Sequence, residues 1–327
     1  MDKTITDLEN FKFFDIHMHY VPLVYKQALL KHGLPNREAD GLPAPVLTLG
    51  EQIKLMEKLN ISKAVISLAS PHTDFGDKHE TVELTHLINQ EGLAICNTYP
   101  DKFYLAPTLP LPYVDESCEE IEVLKANLPL AIFKLPTSAS GYYLGDEIFD
   151  EIFDKLNRLN SIIILHPVSI SLPGSGLAKL PGGVFNYMAE TTAAITNLLV
   201  KGTLQRYKNI KLIVPHGGAL LPSLYDRLIG MEALLNHAAG FKVATESFFK
   251  NLYYDLAGFA VPNQLAGLLK MTDVSHLLYG SDLPYAFDVF CLKQKAALLK
   301  TELLSKAGKE SVCYNNAAQL FNLPQQN

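Results

Sequence analysis

Eight short β-rich runs, most of them followed by a segment of helical spacing, recur along the 327-residue chain. This alternation restricts the fold more than any other feature. The runs fall at residues 13–19, 64–69, 102–110, 131–138, 161–167, 211–216, 252–258 and 276–282. Most are nearly continuous apolar stretches, as expected of strands buried on both faces of a parallel sheet. Helical spacing occupies residues 51–60, 80–97, 116–126, 147–159, 191–207 and 219–235. The pattern predicts an α/β fold, a single (β/α)8 TIM barrel forming one domain over residues 1–327. A doubly wound open sheet is the alternative, but it calls for a glycine-rich turn after the first strand, where this chain has His17-Met18-His19. Two insertions, residues 21–48 and 168–188, are rich in Gly and Pro and are predicted to elaborate the loops after strands one and five. Barrel enzymes build their active sites at that end of the strands.

Composition narrows the classes of function. Hydrophobic residues make up 48% and charged residues 19%, enough apolar material for a large core. Against 34 Asp and Glu stand 28 Lys and Arg, of which only Arg37, Arg158, Arg206 and Arg227 are arginines. With a net charge of −6 and no basic run, no nucleic-acid-binding face is expected. No apolar run approaches the roughly 20 residues of a membrane helix. The first ten residues carry three acids and no apolar segment, so no signal peptide is expected. Cys96, Cys118, Cys291 and Cys313 lie far apart without CxxC spacing, which fits reduced core residues and a cytoplasmic location.

The ten histidines are unevenly placed. His17 and His19 stand two apart at the end of strand one and so share a face. His166 closes strand five, His216 closes strand six, and Asp282 closes strand eight. Counting back by twos gives Ile162, Ile164, His166, then Leu212, Val214, His216, then Leu278, Gly280, Asp282. If these stripes face the barrel axis, five metal-philic side chains converge at one mouth. Burying them without partners costs kilocalories each, and a divalent cation supplies the partner. A lone histidine is more often a satisfied core or turn residue, and His32, His79, His86, His237 and His276 are read as surface or capping residues. His72, in the loop after strand two, either touches substrate or lines the rim. Lys134 on strand four is either paired to a carboxylate or, if it faces inward, available for carbamylation between two metals.

The motifs Asp15-Ile16-His17-Met18-His19, Leu165-His166-Pro167, Pro215-His216-Gly217-Gly218-Ala219 and Gly280-Ser281-Asp282-Leu283-Pro284 resemble those of the amidohydrolase superfamily. The branch they resemble is the one related to aminocarboxymuconate semialdehyde decarboxylase. The resemblance implies one divalent metal, zinc ahead of manganese, held by His17, His19, His166 and Asp282. It implies a catalytic pair of His216 and Asp282, with His216 beside the metal rather than bound to it. Arg227 occupies the place of an arginine that holds a substrate carboxylate, against its plain reading as a surface helix residue. Arg37 lies in the first insertion without an aligned counterpart, and the chain has no tryptophan where some relatives carry an indole wall.

The activity so implied is non-oxidative, metal-dependent decarboxylation of a small unsaturated or aromatic carboxylic acid. The alternatives are a metal-dependent hydrolase of a lactone, amide or ester that uses metal-bound hydroxide, a hydratase, and a non-catalytic metal-binding or partner-binding barrel. A carbamylated Lys134 and two metals favour the hydrolase. The expected partner is a small-molecule carboxylate, and the resemblance is compatible with a homodimer.

Overall fold

In the computed structural model, which describes residues 11–34, 47–168 and 180–325, eight parallel strands surround one axis. They are β1 (Phe13–His19), β2 (Ile61–Ser67), β3 (Phe103–Leu105), β4 (Ile132–Pro136), β5 (Ile162–His166), β6 (Lys211–Val214), β7 (Tyr253–Asp255) and β8 (Leu277–Leu278). Ladders link β1-β2-β3 and β4-β5-β6-β7-β8, every pairing parallel. Single parallel bridges, Met18 to Leu283 and Thr108 to Lys134, close the two seams. At the first seam the Ile16 N–H donates to Tyr279 O (3.0 Å) and the Asp282 N–H to His17 O (2.8 Å); at the second, the Lys134 N–H donates to Pro107 O (2.9 Å). The result is the closed barrel that the alternation predicts.

Helices α1 (Leu23–Lys31), α2 (Leu49–Leu59), α3 (Lys78–Thr98), α4 (Val114–Leu124), α5 (Asp150–Arg158) and α6 (Asn186–Val200) precede α7 (Leu221–Gly230), α8 (Glu232–Ala239), α9 (Thr245–Asn251), α10 (Asn263–Met271) and α11 (Asp288–Lys300). Local chemistry sets several boundaries. A reciprocal box between Thr48 and Glu51 starts α2, and left-handed Asn60 (φ 58°) ends it one residue before β2. Asp77 caps α3 by accepting from the Glu80 N–H at 2.7 Å.

The sequence-predicted elements shift where tertiary structure overrides the apolar pattern. Strand eight shrinks to Leu277–Leu278, with His276 in the turn before it. The helix expected over 219–235 is two helices that meet at Met231. The one expected over 191–207 breaks at Gly202, whose positive φ of 62° ends the run. The first insertion holds α1, and Arg37 lies outside the described residues.

Two hydrophobic clusters follow from strand parity. Phe14, Ile16, Val65, Tyr104, Ile132, Ile162, Ile164, Ile213 and Leu278 fill the lower barrel, packed against Tyr314, Ala317 and Phe321 of the C-terminal segment. Phe13, Met18, Ile66, Phe133, Leu135, Leu165, Leu212 and Val214 belong to the larger cluster between strands and helices. The stripe counts hold for β5 and β8. On β6 the count fails: Ile213 faces inward, while Leu212 and Val214 face the helices.

Candidate active site

A β-bulge makes the His-x-His pair usable. Between Asp15 and Met18 three steps of β1 span the two steps from Ala64 to Ile66 on β2, so β1 carries one extra residue. Ile16 therefore faces the apolar floor, and His17 also turns inward, directly above it. Asp15, on the other face, caps the irregularity: one oxygen accepts the His17 N–H and the Ser281 N–H, each at 3.0 Å. Burial pushes the Asp15 carboxyl up to about 7 against the opposing hydrogen bond from Ser281. Gly280 lets the first histidine approach β8, since a Cβ there would lie 2.8 Å from His17 Cβ.

His17, His19, His166 and Asp282 each offer a ligand atom, and these atoms lie within 4.8 Å of one another. His19 Nε2 is 3.2 Å and His17 Nε2 3.6 Å from Asp282 Oδ1. The far side of each imidazole faces an acceptor. His17 Nδ1 lies 2.8 Å from Asp255 Oδ2, His19 Nδ1 3.3 Å from Ser67 O, and His166 Nδ1 3.0 Å from Pro167 O. With the proton on Nδ1, each Nε2 presents a lone pair to a common point. Among the described residues the buried His17 Nε2 has no hydrogen-bond partner. Three converging imidazole lone pairs and a carboxylate are the donor set of a divalent cation, so the residues fit the implied metal.

The electrostatics separate these groups. Burial holds His166 well below the ordinary imidazole range and His19 down at about 3, and the charge of Lys134 adds to both. Burial acts the same way on His17, but the charge and hydrogen bond of Asp255 outweigh it and hold that ring above its ordinary value. For Asp282 burial favours the neutral acid, yet the hydrogen bond from His19 and the nearby His216 and His17 rings hold the carboxyl well below its usual range.

His216 reaches the same mouth by leaving strand geometry. Its backbone is left-handed (φ 55°), and its Nε2 lies 3.9 Å from Asp282 Oδ2. Asp282 thus turns one oxygen to His17 and His19 and the other to His216. The His216 N–H donates to Asp255 Oδ1 at 3.0 Å, and Gln264 donates to its carbonyl at 3.2 Å. Gly258 leaves room for the ring, because a Cβ there would sit 3.3 Å from His216 Cδ2. Tyr187 stacks over it, 6.3 Å between centroids and 18° between planes.

Above these groups opens a cavity of about 270 Å³ lined by Ala69, His166, Gly183, Val184, Tyr187, Met188, His216, Gly258, Asp282 and Tyr285. This is a mostly apolar and aromatic wall around a few convergent polar groups. His72 is buried beside His166, with 6.0 Å between ring centroids. Lys134 is fully buried on the inward face of β4. Arg227 is exposed on α7 and is not among the residues lining the cavity. The sequence pattern missed Asp255, which holds His17, the His216 N–H and, at 3.0 Å, the Ala257 N–H. The available signal was an acid ending an apolar strand, the same signal that marked Asp282.

Comparison with known proteins places this site in context. The family model described as amidohydrolase matches residues 14–323. Decarboxylase macB of Penicillium terrestre is 28% identical over 324 residues, covering 94% of each chain. The 6-methylsalicylic acid decarboxylase of Penicillium expansum is 27% identical, covering 83% of this chain and 85% of that protein. A crystal structure described as an amidohydrolase II is 31% identical, with a TM-score of 0.89 over 95% of this chain and all of that one.

Proposed function

The chain belongs to the amidohydrolase family, and on that premise we propose that it is a metal-dependent, non-oxidative carboxy-lyase of a small aromatic carboxylic acid. The observation that carries the reading is the division of labour at Asp282, whose two oxygens face different histidines. One oxygen completes a three-histidine ligand set; the other leaves His216 next to that set and outside it.

His17, His19, His166 and Asp282 would hold one divalent cation, zinc ahead of manganese on the strength of the imidazole-rich donor set. When bound, such a cation supplies Lewis-acid charge that holds the substrate carboxylate and offsets negative charge that develops on the substrate. His216 delivers the proton to the ring carbon as the carbon–carboxyl bond breaks, CO2 leaves, and the bonding electron pair stays on that carbon. Asp282 orients the His216 ring through the oxygen 3.9 Å from Nε2. Asp255 fixes His17 and the backbone of His216 from beneath. Tyr187, Tyr285, Val184 and Met188 surround the ring of the acid and exclude water.

The same proposal takes residues 1–327 as one catalytic domain and places the protein in the cytoplasm as a homodimer. The four cysteines support the compartment, being buried and free. Among the described residues no helix is long and apolar enough to cross a membrane.

The test is CO2 release by the metal-loaded protein from a panel of hydroxybenzoic acids, run beside lactones, esters, amides and unsaturated diacids. Release of CO2 with formation of the matching phenol is expected. Hydrolysis of the lactones, esters or amides without CO2 release would replace this reading with the hydrolase, and hydration of the diacids would replace it with the hydratase.

A further inference from the structure

Beyond the residues proposed to hold the cation and move the proton, one buried histidine beside them at the mouth has no assigned partner. His72 is 6% exposed, and among the described residues neither of its ring nitrogens has a hydrogen-bond partner. A buried imidazole left in that state costs free energy, so each such group calls for an explanation. Ala69, three residues before it, and His166, against whose ring it lies at 6.0 Å between centroids, both line the cavity.

The loop that carries His72 is fixed rather than free to seek a partner. Asp74 accepts from Ser140 Oγ at 2.7 Å and from the Gly76 N–H at 2.9 Å, and Thr85 Oγ1 donates to Thr73 Oγ1 at 2.8 Å. His72 itself is held with a left-handed φ of 68°, a conformation that costs a non-glycine residue energy. A neutral imidazole offers one N–H donor and one lone pair, which together match a hydroxyl group.

Resting on the decarboxylase reading, we propose that His72 is a specificity-determining residue that hydrogen-bonds a ring hydroxyl of the aromatic acid, on the side of the site where it lies against His166. A site built to pair a hydroxyl discriminates against the analogue that lacks it, because the buried partner is then left unsatisfied.

The test is calorimetric binding of 2-hydroxybenzoate and of benzoate to the metal-loaded full chain. The wild type is expected to favour 2-hydroxybenzoate by about tenfold or more, as for one well-made buried hydrogen bond. His72→Phe, which keeps a ring and removes both nitrogens, is expected to bring the two acids within about threefold of each other at unchanged metal content. His72→Gln, which keeps a donor and an acceptor, is expected to restore part of the preference. Should the Phe variant fail to fold, His72→Ala gives the same ratio. Equal binding by the wild type, or a preference that survives in the Phe or Ala variant, overturns the proposal. A protein that shows the preference yet releases no CO2 from any acid overturns the decarboxylase reading alone.

Discussion

The lower barrel and its mouth are built from the same eight strands, and they differ in almost every physical respect. At the bottom, Phe14, Ile16, Val65, Ile132, Ile162, Ile164, Ile213 and Leu278 form an apolar layer sealed by Tyr314 and Phe321. Phe14 alone packs against Tyr104, Tyr314 and Phe321 with centroids 5.5 to 5.9 Å apart. At the mouth, one to four residues further along the strands, histidines, aspartates and a lysine are buried or half-buried instead. Each large apolar side chain below contributes about 1.5–3 kcal/mol on burial, whereas every buried polar group above costs free energy unless it finds a partner. The lower layer stabilises a barrel whose upper layer is arranged for chemistry, and the two are separable by mutation.

The largest effect is expected from His166→Ala, which removes one of the three imidazoles proposed to hold the metal. Metal measured by elemental analysis should fall to background and CO2 release should disappear, with the far-ultraviolet circular dichroism unchanged. Asp255→Asn comes next. It keeps the shape but weakens the acceptor on His17 Nδ1, and metal affinity measured by competition with a chelator should fall by about 10- to 100-fold. Ile164→Ala acts only on the floor. Urea unfolding should show a loss of about 2–5 kcal/mol, while metal content stays that of the wild type. A floor substitution that emptied the metal site without unfolding the chain would contradict the separation of the two layers.

Much of this contrast was legible in the residues. The alternation of apolar runs and helical spacing located all eight strands, and the strand-end positions of His17, His19, His166, His216 and Asp282 located the mouth. Parity was the weak step. Counting by twos works on β5, which is regular, but the bulge in β1 and the early end of β6 come from pairing with neighbours. No local pattern records either. Counting back from His17 would turn Asp15 and Phe13 inward, yet the bulge puts Ile16 and Phe14 there. Asp255 escaped because its role is to serve other side chains, among them His17 on a strand that is not its neighbour and lies 238 residues away in sequence. Lys134 needed the structure to settle its face. Burial holds His19, His72 and His166 below the ordinary imidazole range, and the charge of the fully buried Lys134 adds to it.

In the proposed function one cation sits on four ligands and His216 stands outside them as the proton donor. The direct test is metal content and CO2 release measured together on His216→Ala. The account predicts one metal per chain, as in the wild type, with CO2 release lowered by about 100-fold or more. Loss of the metal would make His216 a ligand, and undiminished CO2 release would assign the proton to another group; either result contradicts the account.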